Sequence, residues 1–121
     1  MILGTFSHPV TLIAARGDQT EAVEALVDTG STFSTVPRAI FERLGVVPFA
    51  RAILRLANGQ VSEEELGEVL AEINGLPRRT IICVFGALEA PSTLGAHTLE
   101  AFLLGVDPDR HRLVPLEAWW A

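Results

Sequence analysis

The chemistry this chain can be read for sits in four residues, Asp28-Thr29-Gly30-Ser31. An apolar run, Ala25-Leu26-Val27, delivers the Asp28 carboxylate into a turn. A carboxylate at the end of a buried strand is costly unless it is hydrogen-bonded or shares a proton. Thr29 and Ser31 supply two hydroxyls that suit holding a neighbouring carboxylate or carbonyl. Gly30 permits a backbone geometry or a close approach that a Cβ forbids. Two readings of these four residues stand open. One is general acid–base chemistry at Asp28; the other is a plain Asx-turn in which Asp28 caps backbone N–H groups.

Rival constellations are weaker. The three histidines, His8, His97 and His111, share no metal-ligand spacing and have no cysteine cluster beside them. No metal is expected. Ser31, Ser34 and His97 could be imagined as a serine-hydrolase set, but the chain lacks a G-x-S-x-G elbow. Cys83 is the only cysteine, so no intrachain disulfide forms. It lies in the apolar run Thr80-Ile81-Ile82-Cys83-Val84-Phe85, where a thiol acts as a small hydrophobe.

The elements around Asp28 follow from pattern. Residues 8–15 read as a strand, 16–19 as a turn and 21–27 as the returning strand that runs into Asp28. Residues 37–44 read as a short helix, with Pro37 at the first helical position and Gly45 as the stop. Ile40, Phe41 and Leu44 share one of its faces. Residues 52–56 and the segment from Val61 read as a hairpin around Ala57-Asn58-Gly59-Gln60. An Asn-Gly pair there predicts a type I′ turn with positive φ at both central residues. Glu63-Glu64-Glu65 reads as a solvated stretch of strand or a bulge. Strands are predicted over 66–73 and 78–85, the second apolar enough for burial on both faces, with a turn at Asn74-Gly75 between them. A second helix is predicted over 96–103, ending at Gly105, and a terminal hairpin turns at Asp107-Pro108-Asp109-Arg110. There is a faint internal echo: glycine turn, short helix and Leu-Gly-Val occur at 28–46 and again at 93–106.

Composition narrows the function. The 121 residues make one domain, 1–121, with a modest core. Hydrophobic residues are 49% and charged residues 20%, a globular balance. The formal net charge of −6 and the scatter of the nine basic residues disfavour nucleic-acid binding. No stretch approaches the roughly eighteen apolar residues of a membrane span, so no membrane role is expected. Met1-Ile2-Leu3-Gly4 does not open a signal peptide, and a cytoplasmic location is the expectation. Trp119-Trp120 would be an association hazard if exposed, and are expected to pack on a partner subunit or on the core.

The whole pattern resembles the retropepsin-like aspartic proteases. The matching segments are residues 23–32, the helix ending Arg43-Leu44-Gly45, the Ala57–Gln60 hairpin, Leu94-Gly95-Ala96-His97-Thr98-Leu99-Glu100, and 106–115. The resemblance covers roughly Pro9 to Pro115. It implies an all-β acid-protease barrel with one or two short helices and one catalytic triplet per subunit. The chain has one Asp-Thr-Gly and no second D-[ST]-G. The resemblance therefore implies a homodimer in which two copies of Asp28 meet across a two-fold axis. It implies peptide hydrolysis without metal or organic cofactor, with Thr29, Gly30 and Ser31 supporting Asp28. Residues Ala57, Asn58, Gly59 and Gln60 would form a flap over a peptide substrate. The alternative is a domain of the same fold that dimerises or binds peptides with little or no cleavage.

Overall fold

The computed structural model describes residues 6–16 and 18–116. The order is β1 (Ser7–Ile13), β2 (Thr20–Val27), β3 (Ser34–Pro37), α1 (Arg38–Arg43), β4 (Ala50–Arg55), β5 (Val61–Glu72), β6 (Arg79–Gly86), β7 (Thr93–Leu94), α2 (Ala96–Ala101), β8 (Leu104–Asp107) and β9 (Arg112–Pro115). Met1-Ile2-Leu3-Gly4 and Trp119-Trp120 lie outside the described residues.

The strands form a closed circuit. The sheet runs β1-β2-β7-β3-β6-β5-β4, and β1 also pairs with β5, so six strands return on themselves and only β4 hangs outside. Closure removes sheet edges that would otherwise be open to pairing. Most ladders are antiparallel, but β2–β7 and β3–β6 are parallel. The expected all-β barrel with two short helices is what the chain forms. β8 and β9 make a separate two-stranded ribbon whose Leu104 and Leu113 are buried in the core.

Alternation sets the core. On β6, Ile81, Cys83 and Phe85 are buried, whereas Ile82 and Val84 are half-buried. One face is thus fully packed, where the apolar run had suggested two. Phe41 of α1 is fully buried and its ring centroid lies 4.5 Å from that of Phe85. Burying a large ring of this kind stabilises by roughly 1.5–3 kcal/mol. Burial also pushes the Cys83 thiol up to about 12, so it is protonated and unreactive near neutrality.

The helix ends differ from the sequence reading in two places. Pro37 closes β3 and caps α1 from extended backbone (φ −56°, ψ 141°) instead of opening the helix. At its other end Gly45 takes φ +72°, and the N–H groups of Gly45 and Val46 donate to Glu42 O and Phe41 O. That is a Schellman stop, as the glycine suggested. α2 behaves otherwise: it ends at Ala101, and Leu103, not Gly105, takes the left-handed position with φ 53°. Gly105 lies inside β8, where a Cβ would press to 2.8 Å against Leu116. Packing there, not helix termination, uses the glycine, and the echo between the two halves stops at this point.

Candidate active site

The end of β2 is held from both sides. Ala25 and Val27 are buried while Leu26 between them is exposed. The Leu26 and Asp28 N–H groups donate to Ser92 O and Leu94 O, both at 2.9 Å, and Val27 N–H donates to Phe6 O at 2.9 Å. Asp28 is thereby fixed in backbone before its side chain is considered.

The side chain is fixed next. Asp28 Oδ1 accepts from Gly30 N–H at 3.1 Å, and Oδ2 accepts from Ser31 Oγ at 2.9 Å. Ser31 N–H donates to Asp28 O at 3.2 Å. The Asx-turn and the acid–base reading are therefore not exclusive: the turn is what aims the carboxylate. Asp28 and Ser31 are half-buried, and Thr29 and Gly30 are exposed. Gly30 is a correction. Its φ is not positive, and a Cβ would stand 3.4 Å from Asp28 Oδ1, an ordinary contact. Within one chain nothing there excludes a side chain.

The close approach occurs instead at Gly95. A Cβ on Gly95 would meet Phe33 O at 2.4 Å and Ser31 O at 2.9 Å. This contact lets α2 press its N-terminus against the Asp28 loop. The first helical N–H groups, of Ala96 and His97, donate to Ser31 O at 2.8 Å and Thr32 O at 2.9 Å. Helix N-termini leave such donors without internal partners, and here the loop supplies the acceptors. Beneath the loop, Ser34 Oγ accepts from Gly95 N–H at 3.0 Å and shares a hydrogen bond with Thr98 Oγ1 at 2.6 Å. Both hydroxyl side chains are buried. Thr93 Oγ1 accepts from Thr35 N–H at 3.1 Å. The supporting roles of Ser34, Thr93 and Thr98 were not read from the sequence, where Ser34 figured only in a rejected serine-hydrolase set and Thr98 only within a matching segment.

The Ala57–Gln60 tip is exposed and corrects a second expectation. Gly59 has φ 86°, but Asn58 does not have positive φ. Gly59 N–H donates to Leu56 O, Leu56 N–H donates to Gln60 O, and Asn58 Oδ1 accepts from Gln60 N–H. This is a three-residue loop with a glycine bulge, not a type I′ turn. The Asn58 side chain, bonded to its own turn, replaces the second left-handed residue. Asn74-Gly75, with φ 55° and 70° and Leu76 N–H on Ile73 O, is the pair that makes the primed turn. The hydrogen bonds of the Ala57–Gln60 tip all stay within the hairpin and do not reach the Asp28 loop.

Two clefts, of about 520 and 290 Å³, lie elsewhere, against Val47 and Phe49 and against Leu103 and Leu116, and Asp28 lines neither. His97 is exposed with its ring edge-on to Phe33, His8 bonds Asn74, and His111 stacks on Phe6. Among the described residues no three His, Cys, Asp or Glu side chains group as a metal site. No helix among them is long and apolar enough to cross a membrane.

Comparison with known proteins adds the context. A family model described as aspartyl protease matches residues 13–107. No curated protein matches in sequence. The fold is similar to the retroviral protease-like domain of Ddi1 from Leishmania major, with TM-score 0.60 and 16% identity, over 95% of this chain and 90% of that one. It is also similar to the foamy viral protease-reverse transcriptase, with TM-score 0.58 and 10% identity, over 97% of this chain. This chain spans only 13% of the length of the foamy viral chain. At these identities the structural likeness concerns the fold.

Proposed function

The chain belongs to the aspartyl protease family and has the retropepsin-like fold, and from that premise we propose that it is an aspartic endopeptidase whose catalytic carboxylate is Asp28, working as a pair in a homodimer. The observation that carries the reading is the doubly held Asp28 carboxylate on a loop clamped by β7 and α2. Rigid support of this kind is what a reacting group needs. One chain supplies one such carboxylate, and the exposed Thr29 and Gly30 beside it leave the triplet open to a second copy.

The chemistry follows from pairing. Two carboxylates in contact hold one proton between them, because both cannot ionise cheaply. The ionised one takes a proton from a water, whose oxygen attacks the scissile carbonyl carbon. The protonated one hydrogen-bonds the carbonyl oxygen as it gains charge. Collapse breaks the C–N bond, and the proton passes to the leaving amine. Within each subunit Ser31 Oγ and Gly30 N–H keep the carboxylate oriented. Thr29 braces the pair across the axis, and Gly30 admits substrate backbone. Ala57, Asn58, Gly59 and Gln60 act as a flap that closes over an extended peptide and excludes water.

The test is cleavage of a peptide library at acidic and neutral pH by wild type and Asp28→Asn, with sedimentation alongside. Wild type is expected to cleave and to sediment at twice the 13.0 kDa chain mass. Asp28→Asn is expected to lose about 10²–10⁴-fold or more in rate while staying dimeric. Equal cleavage by the two proteins would remove Asp28 from the mechanism. A dimer that binds peptides and leaves them intact would favour the binding-module alternative.

A further inference from the structure

The proposed reaction leaves unexplained a half-buried ion pair at the root of the β4–β5 hairpin. Arg38, the first residue of α1, donates from Nη2 to Glu65 Oε1 at 2.5 Å. Its guanidinium carbon lies 4.8 Å from the centroid of the Phe85 ring. Glu65 also faces Arg51 Nη1 at 3.9 Å, and Arg51 Nε donates to Glu63 Oε1 at 2.5 Å.

The position of this network is mechanical. The β6 ladder on β5 begins at Leu66 and the β1 ladder at Leu70, so Val61–Glu65 have β4 as their strand partner and project beyond the barrel. The arm leaves the barrel at Leu66 and Gly67, so any change in its angle has this point as its pivot. There β5 lies so close to its support that a Cβ on Gly67 would meet Phe85 Cε1 at 2.6 Å and Val46 Cγ1 at 2.9 Å. Side chains alternate along a strand. Gly67, Val69 and Ala71 are buried, so Glu65 and Glu63 continue that barrel-facing side outwards. Arg38 therefore grips the arm one side-chain step above its pivot, on the side towards the barrel, while stacked on the ring that forms the pivot's seat.

We infer that Arg38 and Glu65 form a latch that sets the angle of the β4–β5 hairpin, and that Arg38 is a positioning residue for the reaction. The second part rests on the proteolytic reading above. A partly exposed ion pair with one cation–π contact shifts an equilibrium only several-fold. It is too weak to hold the barrel together but strong enough to bias the angle of a projecting arm.

The experiment is a double-mutant cycle with Arg38→Met, Glu65→Gln and the pair combined, plus Arg38→Lys. Amide hydrogen exchange is read without substrate, and kcat and KM on a cleaved peptide are read in parallel. The latch predicts that exchange over residues 61–65 speeds up by about 3–10-fold in each single variant, with β1 and β6 amides unchanged. The double variant is expected to be no faster than the singles, because the interaction is lost once. Arg38→Lys, which keeps the charge, is expected to recover part of the protection. kcat/KM is expected to fall by a similar factor with kcat and KM both moving. Unchanged exchange in the hairpin, additive single effects, or equal acceleration throughout the barrel would each overturn the latch. A protein with the expected exchange pattern but no cleavage by wild type would retain the latch and sink the proteolytic reading.

Discussion

Gly95→Ala tests the architecture of the site most directly. The backbone of Gly95 is extended, φ −94° and ψ 175°, a conformation any residue adopts. By conformational preference alone alanine should stabilise, by about 0.4–1 kcal/mol, because it restricts the unfolded chain. Contact predicts the reverse. The new Cβ would sit 2.4 Å from Phe33 O, so loop and helix must part by roughly 1 Å to reach an ordinary separation. That movement breaks or badly stretches the bonds from Ala96 N–H and His97 N–H to Ser31 O and Thr32 O, now 2.8 and 2.9 Å. Two backbone bonds at about 0.5–1.5 kcal/mol each, with about 1–3 kcal/mol for overpacking and less the alanine gain, give a net loss of roughly 1–5 kcal/mol. In a domain of this size that lowers Tm by roughly 4–20 °C. Gly45→Ala is the control: φ is +72° but no atom lies within 4 Å, so the cost is the left-handed backbone alone, about 1–2 kcal/mol. Urea unfolding of both variants at one protein concentration measures the difference. If Gly95→Ala costs less than Gly45→Ala, the close-packed floor beneath Asp28 is not what holds the loop.

Two further outcomes follow from buried groups. Ser34→Ala strands Thr98 Oγ1 and Gly95 N–H without their buried partner and should cost about 1–3 kcal/mol in urea unfolding, part of which Ser34→Ala/Thr98→Val recovers by removing the orphaned hydroxyl. Cys83 remains protonated in the folded state up to about 12, whereas an unfolded thiol ionises near ~8.5. The folded state then binds more protons in between, so stability is complete below about pH 8.5 and falls as pH rises towards 12, by at most roughly 1.4 kcal/mol per unit. Unfolding curves at pH 8 and pH 10 should show this loss in wild type and not in Cys83→Ala.

The active-site strand, its turn and the order of elements were legible because they are written locally. An apolar alternation ending in Asp-Thr-Gly-Ser is visible in a single stretch of sequence, and so is the glycine that stops α1. What was not legible depends on contacts distant in sequence. Gly105 looked like a helix stop, yet Leu116 occupies the space beside it and Leu103 takes the left-handed turn. Two Asn-Gly pairs looked alike, but only Asn74-Gly75 makes the primed turn, since Asn58 spends its carbonyl on Gln60 N–H. β3 was invisible because its four residues form a strand only between β6 and β7. The Ser34–Thr98 pair joins residues 64 apart, a separation no local pattern reports.

The clamp on the Asp28 loop has a consequence for how the protein is made. Asp28 is made well before the groups that hold its loop, since Leu94 O, Gly95 and the N–H groups of Ala96 and His97 lie more than sixty residues further along the chain. A nascent polypeptide released as far as Phe85 carries the carboxylate without β7 and α2 to clamp its loop. The clamp is thus complete only once residues 94–97 have been made, and a product truncated before them lacks it.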